Sequence, residues 1–314
     1  MTKNFFAIIS ALLLFHHNLI FAQGCSDAGI CTTGALNPEN DGENLSYFEN
    51  KFTIDYLLYT QIYKDNHTDQ GIGVAINYHL NRRNSFQIKT NYAMKESPLT
   101  TTSGIGDITL AYSYALLQTD KWQVSTVIGA KIPTSDADAT LNGLPLPMYF
   151  NTSLGTYDAL IGIAVSSKAW HLSVGYQHPL NTATKHEYDP DYWAEQPNYK
   201  WMQNWYPATR HLDRKSDVSA RLKYTLRTSK WTVAPSVLGI YKLENAYVES
   251  LNNGNYEFER SLGLALNVLI EGSYNFTPHF SMGAVAAYAA EQRPFNPDGL
   301  ARDYVFNLLL KHQF

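Results

Sequence analysis

The sequence predicts an all-β protein, a transmembrane antiparallel up-and-down β-barrel of about twelve strands. Three observations predict it. Apolar and polar residues alternate with period two from about residue 50 onward, short and long connections follow one another strictly, and an aromatic stands just past each short connection. Period-two alternation is the strand signature, because successive side chains point to opposite faces of a sheet.

The elements follow in chain order. Residues 1–22 read as a cleaved export signal: Lys3 supplies the positive start, Phe5 to Phe15 the apolar core, and cleavage after Ala22 leaves Gln23 first. No positive stop-transfer flank follows, which argues against a membrane anchor. Residues 23–49 form a polar, Gly- and Asn-rich segment with two readings, a periplasmic extension or a plug for the lumen. The segment carries both cysteines of the chain, Cys25 and Cys31. An exported chain meets an oxidising compartment, so a disulfide between them is expected. Lipidation of Cys25 is the alternative. No Cys/His partner at finger spacing follows, so no metal site is expected.

Residues 50–314 form the expected barrel, with strands near 50–62, 71–81, 84–94, 105–117, 121–132, 155–166, 169–179, 216–227, 230–242, 257–275, 278–290 and 302–314. Five connections are tight and polar, near 81–84, 118–121, 166–169, 227–230 and 275–278. Longer ones lie near 63–70, 95–104, 133–154, 180–215, 243–256 and 291–301. A membrane barrel alternates in this way, with tight periplasmic turns and long external loops. Phe86, Trp122, Trp170, Trp231 and Phe280 each follow a tight turn and read as a girdle at one membrane boundary. Strands of ~9–11 residues suffice to cross a bilayer, and closure removes the unpaired edge that hydrocarbon does not tolerate.

Composition excludes several classes. The 24 Lys and Arg against 28 Asp and Glu give a formal charge of −4, so there is no basic field for nucleic acid. Neither common phosphate-cradling glycine loop is present, and no cofactor is expected. Charged residues make up 17% of the chain while Tyr alone numbers 22, which fits a wall that faces lipid on one side.

With the aromatic set outward, the alternate set faces the lumen. The lumen candidates are Asp55, His79, Lys89, Asp107, Lys131, Asp158, His171, Arg221, Lys223 and Glu271. Mixed charges can line a wet pore and orient polar solutes, or pair across the interior and fill it. Twelve strands stand between filled eight-stranded barrels and open sixteen-stranded ones. The longest loop, 180–215, offers Tyr192, Trp193, Trp201, Trp205 and Tyr206 as ligand-stacking candidates. The other reading of that loop is a self-packed cap. His186, Asp189 and Asp191 in the same loop have no template metal spacing.

His171 and Ser173 lie two apart on one strand. That pair is similar to the constellation of outer-membrane phospholipases, also twelve-stranded barrels. Such chemistry needs the histidine to activate the serine at the lipid-facing surface, whereas Trp170, Leu172, Val174 and Tyr176 claim that face here. The expectation is that the chain is not an enzyme, with a lipid-active enzyme as the remote alternative.

The last strand sets Tyr304, Phe306, Leu308, Leu310, His312 and Phe314 on one face. Phe306 and the terminal Phe314 resemble the signal by which bacterial outer-membrane barrels engage their assembly machinery. Three further segments carry a family resemblance: Gly104, Gly106 and Asp107 in GIGDITLAYSYAL; Lys131, Pro133 and Thr134 in KWQVSTVIGAKIPTS; and Gly155 and Asp158 in SLGTYDALIGIAVS. Together they resemble a family of bacterial outer-membrane barrels labelled transporters or phenol-degradation meta-pathway proteins. Ser135 stands where that family commonly has Gly. The resemblance covers about a fifth of the chain and implies a barrel that passes small molecules. The expected function is therefore a passive outer-membrane channel for small, apolar or aromatic solutes in a Gram-negative bacterium. Its expected partners are outer-membrane lipid, the barrel-assembly machinery and the solute. The alternative is a structural or ligand-binding barrel that works through loop 180–215.

Overall fold

The computed structural model describes Leu36 and residues 51–63, 66–299 and 301–314. The export signal, its cleavage point and the Cys25/Cys31 pair lie outside the described residues.

Twelve antiparallel strands close on themselves. They are Phe52–Tyr63 (β1), Thr68–His79 (β2), Asn84–Glu96 (β3), Ile108–Gln118 (β4), Trp122–Ile132 (β5) and Asp158–Ser167 (β6), followed by Trp170–Pro179 (β7), Asp217–Tyr224 (β8), Trp231–Lys242 (β9), Gly263–Thr277 (β10), Phe280–Glu291 (β11) and Arg302–Gln313 (β12). Each strand pairs with its sequence neighbours. The cylinder shuts where β1 meets β12, in register from Thr53 opposite Gln313 to Gln61 opposite Val305. At that seam the Phe314 amide donates to the Phe52 carbonyl at 2.9 Å.

Three segments differ from the pattern expected of the sequence. The expected strand 105–117 is broken. Thr101–Ile105 extends the upper half of β3's partner, the chain then steps at Gly106 and Asp107, and β4 begins at Ile108. The Gly106 amide still donates to the Asn91 carbonyl at 2.7 Å, one residue beyond the Tyr92–Ile105 pair, and the register then shifts by one residue before Lys89 meets Thr109. The expected strand 257–275 merges two elements. Ala246–Ser250 and Gly254–Phe258 form a hairpin of their own, outside the barrel sheet, and β10 starts only at Gly263. Alternation runs through both because a hairpin in a loop is pleated like one in a wall. Between β1 and β2, the expected longer connection shortens to residues 64–67.

The two faces of the wall differ sharply. On β5, Ile128 is 53% exposed and its neighbour Val127 is 0% exposed. Among the described residues, the outward set of the strands holds no Asp, Lys or Arg, and its Glu residues stand at strand ends toward the loops, Glu96 on β3 and Glu291 on β11. A wall of Ile, Leu, Val and aromatic rings turned outward fits hydrocarbon.

Aromatics mark both ends of that wall. At the end with the tight turns, rings from adjacent strands pack in pairs: Phe52 on Tyr78 at 4.7 Å, Phe86 on Tyr112 at 5.0 Å, Trp170 on Tyr224 at 4.6 Å and Trp231 on Tyr274 at 4.7 Å. At the loop end stand Tyr92, Tyr176, Tyr241, Tyr288 and Tyr304. This second belt had no mark in the sequence, because it follows no tight turn. From Trp231 to Tyr241 the strand spans ~33 Å of chain. A tilt of ~35–45° reduces that to about 25 Å, the height of the apolar band of a membrane barrel.

This wall makes a direct prediction. Leu308→Arg, in the middle of β12's outward face, should cost about 2–4 kcal/mol of stability in lipid vesicles, read as loss of the heat-modifiable folded band. Lys89→Gln, on the inward face, should leave that band intact. Equal behaviour of the two variants would reverse the inside and outside of the wall.

Candidate functional site

The inward face is built from the residues that alternate with the outward apolar set, and it is not uniform around the cylinder. One side, from β4 to β9, is filled. The other, formed by β1–β3 and β10–β12, is open.

On the filled side, Glu271 of β10 reaches across β9 to β8. Arg221 forms an ion pair and hydrogen bond with Glu271, and Lys223 Nζ lies 3.4 Å from its other oxygen. Arg221 Nη2 also donates to Ser236 at 3.0 Å. Each of these buried charges meets an opposite partner, and removing one would leave the other uncompensated at a cost of about 3–5 kcal/mol. Nearer the loops, Asp158 accepts from Arg214 at 2.8 Å, Gln177 at 2.5 Å and Thr156 at 2.8 Å. Lys131 pairs with Asp107 at 2.8 Å. Of the ten lumen candidates, six thus form two compact clusters, Arg221–Lys223–Glu271 and Asp107–Lys131 with Asp158.

Between the two clusters lies a patch without charge. Ala111, Val127, Leu160, Ala164, Leu238 and Ile240 face inward, and the side chain of Leu36 packs among them at 2% exposure. The Leu36 carbonyl accepts from Ser173 Oγ at 2.9 Å and lies 3.2 Å from His171 Nε2. His171 Nδ1 lies 2.8 Å from the Ser166 hydroxyl, so a single tautomer, protonated on Nε2, satisfies both contacts. His171 and Ser173 therefore both face inward and both bind the Leu36 carbonyl. Ser173 donates to that carbonyl rather than to the imidazole that would have to activate it. Gly162 makes room for Leu36, since a Cβ there would stand 2.6 Å from Leu36 Cδ1.

On the open side lies a cavity of about 280 Å³. Its middle is apolar, with Leu57, Leu269, Val285, Val305 and Leu309 turned inward. Small residues on β11, Gly283, Ala287 and Ala289, keep it open. Polar groups stand toward each end. At the turn end, Gln87 donates to Asn77 at 2.8 Å and Asn77 to Asp55 at 2.7 Å, with Lys89 and Lys311 lining the same cavity. At the loop end, Asn91 donates to the Tyr59 hydroxyl at 2.9 Å, Tyr59 to Asp69 at 3.2 Å, and Lys95 lies 3.7 Å from Asp69. His79 is half-buried at the turn-end rim, opposite Ser85.

The loop end is covered by a cap made from loops 133–157 and 180–215. Its core is Tyr63, Leu146, Tyr149, Phe150, Tyr188, Trp193, Met202 and Tyr206. The Tyr149 hydroxyl lies 2.7 Å from the Thr68 carbonyl and 2.9 Å from that of Glu96, so it sews the cap to β2 and β3. Burial pushes the phenols of Tyr149 and Tyr188 well above the ordinary range. The ligand candidates of loop 180–215 divide in two. Trp193 is buried and donates from Nε1 to the Pro145 carbonyl at 2.8 Å. Tyr206 is buried and pairs with His67, while Trp201 stacks on His67 at 6.5 Å. Tyr192 and Trp205 remain 39% and 43% exposed. His186, Asp189 and Asp191 are engaged within the cap. Asp189 accepts from the amides of Asp191 and Leu251, each at 2.9 Å, and Asp191 from Tyr199 at 2.6 Å. Sequence reasoning missed Tyr149, Phe150 and Leu36. The Met148-Tyr149-Phe150 run was the available signal for the first two.

His186 supplies a pH test of the cap. Burial holds its imidazole down at about 4, with Nδ1 2.7 Å from the Ala137 carbonyl and Nε2 2.8 Å from Thr209 Oγ1. An unfolded cap takes up the proton below ~6.5, whereas the folded cap resists until about 4. Cap stability is therefore full above pH ~6.5 and falls as pH drops from ~6.5 toward 4. Emission from the buried Trp193 should shift red across that window and stay constant from pH 7 to 8.

No protein-family model matches the chain, and no curated protein matches it. Solved structures overlap it with low identity. The NanC porin is 8% identical, with a TM-score of 0.46 over 84% of this chain and 100% of its own. The CymD monoaromatic hydrocarbon channel is 11% identical, with a TM-score of 0.41 over 95% and 99%. Outer membrane phospholipase A from Escherichia coli is 11% identical, with a TM-score of 0.38 over 82% and 92%. A porin, a hydrocarbon channel and a phospholipase are similar to the chain at about the same level, so its functional reading rests on its own geometry.

Proposed function

We propose that the chain is an outer-membrane β-barrel of a Gram-negative bacterium, exported by a cleaved signal at residues 1–22, that passes small solutes through the open side of its lumen. The observation that carries this reading is the cavity along β1–β3 and β10–β12, with an apolar middle between polar ends. Charged groups at each end keep water and a polar solute edge in place, while Leu57, Leu269, Val285 and Leu309 offer a surface on which an apolar or aromatic body loses little on leaving water. The finer assignment to apolar or aromatic solutes agrees with the family resemblance of residues 104–166. Phe306, outward on β12, and Phe314, just past its end, are assigned to recognition by the assembly machinery, and the outward wall to outer-membrane lipid. A second reading, a ligand-binding barrel, is favoured by the exposure of Tyr192 and Trp205 on the cap. No catalytic step is assigned.

Liposome swelling with purified protein tests the channel. Small neutral solutes should permeate. Ala287→Trp should fill the cavity and suppress flux while the folded band persists. Leu36→Asp should raise conductance in planar bilayers, because a carboxylate is expelled from the apolar patch that holds the leucine, whereas Leu36→Met should leave it unchanged. A folded barrel that stays silent to every solute class overturns the channel reading.

A further inference from the structure

A second cavity, of about 540 Å³, lies at the loop end between the cap and the β11–β12 connection. It falls within the ~300–1,000 Å³ range of small-molecule sites. Its walls are rings: Trp205 and Tyr206 from loop 180–215, Tyr149 from loop 133–157 and Phe295 from the β11–β12 connection. Four prolines, Pro147, Pro207, Pro294 and Pro297, fill the spaces between them.

We infer that this vestibule is a binding site for a neutral, flat aromatic ring, separate from the lumen cavity. The first ground is preorganisation. Tyr149 is fixed by the Thr68 and Glu96 carbonyls. Tyr206 is fixed by His67, whose ring meets Tyr149 edge-on at 5.0 Å. Gly299 closes on Tyr149 from the other side in the left-handed region, at φ 73°, where a Cβ would stand 2.7 Å from the Tyr149 nitrogen. Walls fixed in advance lose little freedom when a ligand enters.

The second ground is what the walls offer. Trp205 and Phe295 keep 43% and 39% of their surface exposed, and their faces can take an aromatic ring in offset or edge-on contact. The third ground is charge. Arg293 is the arginine of the lining, and it is already engaged by Asn296 at 3.1 Å, Asp217 at 3.5 Å and Asp298 at 3.7 Å. Glu291 adds an exposed carboxylate to the same lining. An anionic ring therefore meets a carboxylate and an arginine held by acids, and a sugar ring meets polar groups already engaged within the protein: His67 by Tyr206, Thr209 by His186, Gln292 by the Arg302 carbonyl and Asn296 by Arg293.

The vestibule is distinct from the lumen cavity because a hydrogen-bonded partition lies between them. Tyr63 lines the first and Arg302 the second. Arg302 Nε donates to the Tyr63 hydroxyl at 3.0 Å, and that hydroxyl donates to Gln61 at 3.2 Å. The vestibule would hold its ligand whether or not the lumen conducts, so this inference and the channel reading fail separately.

The test is equilibrium binding of benzyl alcohol to the full chain in lipid nanodiscs, followed by saturation-transfer NMR, with empty nanodiscs as the blank. Benzyl alcohol should bind saturably, and benzoate and glucose should not. The Trp205→Ala/Phe295→Ala double variant should weaken binding at least about tenfold, the loss expected of two ring contacts. Ala287→Trp, which fills the lumen cavity, should leave binding unchanged. The folded band on heat-modifiability gels shows that each variant is intact. Non-saturable uptake, equal binding of cyclohexylmethanol, preference for glucose or benzoate, or undiminished binding by a folded double variant would overturn the inference. Binding abolished by Ala287→Trp would move the site to the lumen and overturn it as well.

Discussion

The constraint on which everything else depends is that no backbone amide or carbonyl can be left open along the wall. In hydrocarbon each such group costs several kcal/mol. A sheet can meet that demand only by joining its first strand to its last, as β1 and β12 do over the whole run from Thr53 to Gln61. Closure then dictates the rest. Once the strands form a cylinder, every second residue points out and every other one in, and a one-residue slip on any strand would exchange the two sets. The apolar outer skin and the polar inner one are one decision made twelve times.

An interior enclosed in this way must be either wet or neutralised, and this one is both on different sides. Toward β7–β10, Arg221, Lys223 and Glu271 neutralise one another within a few ångströms, and Leu36 occupies the apolar gap beside them. Toward β1–β3 and β10–β12, small residues on β11 leave room instead. The asymmetry follows from side-chain size: β8 and β9 send Arg221, Lys223 and Leu238 inward, where β11 sends Gly283, Ala287 and Ala289.

The wall was legible in the sequence because period two depends on nothing but the pleat. Trp122, Ile128 and Leu222 read as outward, and Lys131, His171 and Arg221 as inward, without knowledge of any neighbour. Legibility ended where that rule has no force. Alternation could not tell β10 from the hairpin that precedes it, since both are pleated. It passed through Gly106 and Asp107 although the ladder breaks there. In the cap there is no period at all, so nothing in the spacing of loop 180–215 separated Trp193 and Tyr206, which became its core, from Tyr192 and Trp205, which did not. Leu36 was an unremarkable aliphatic in a polar segment. Its place is set by the missing Cβ of Gly162, more than a hundred positions further along the chain, and no local reading connects the two.

Leu36 also bears on the order of assembly. A residue enclosed by a finished tube has two routes to its seat: it is laid on the open sheet before the ends meet, or its chain is fed through a mouth afterwards. Its anchors, Gly162 and Ser173, belong to the middle hairpin, which can form long before the terminal strands find each other. None of these contacts is made by β1 or β12, so the seat of Leu36 does not depend on the seam that closes the cylinder.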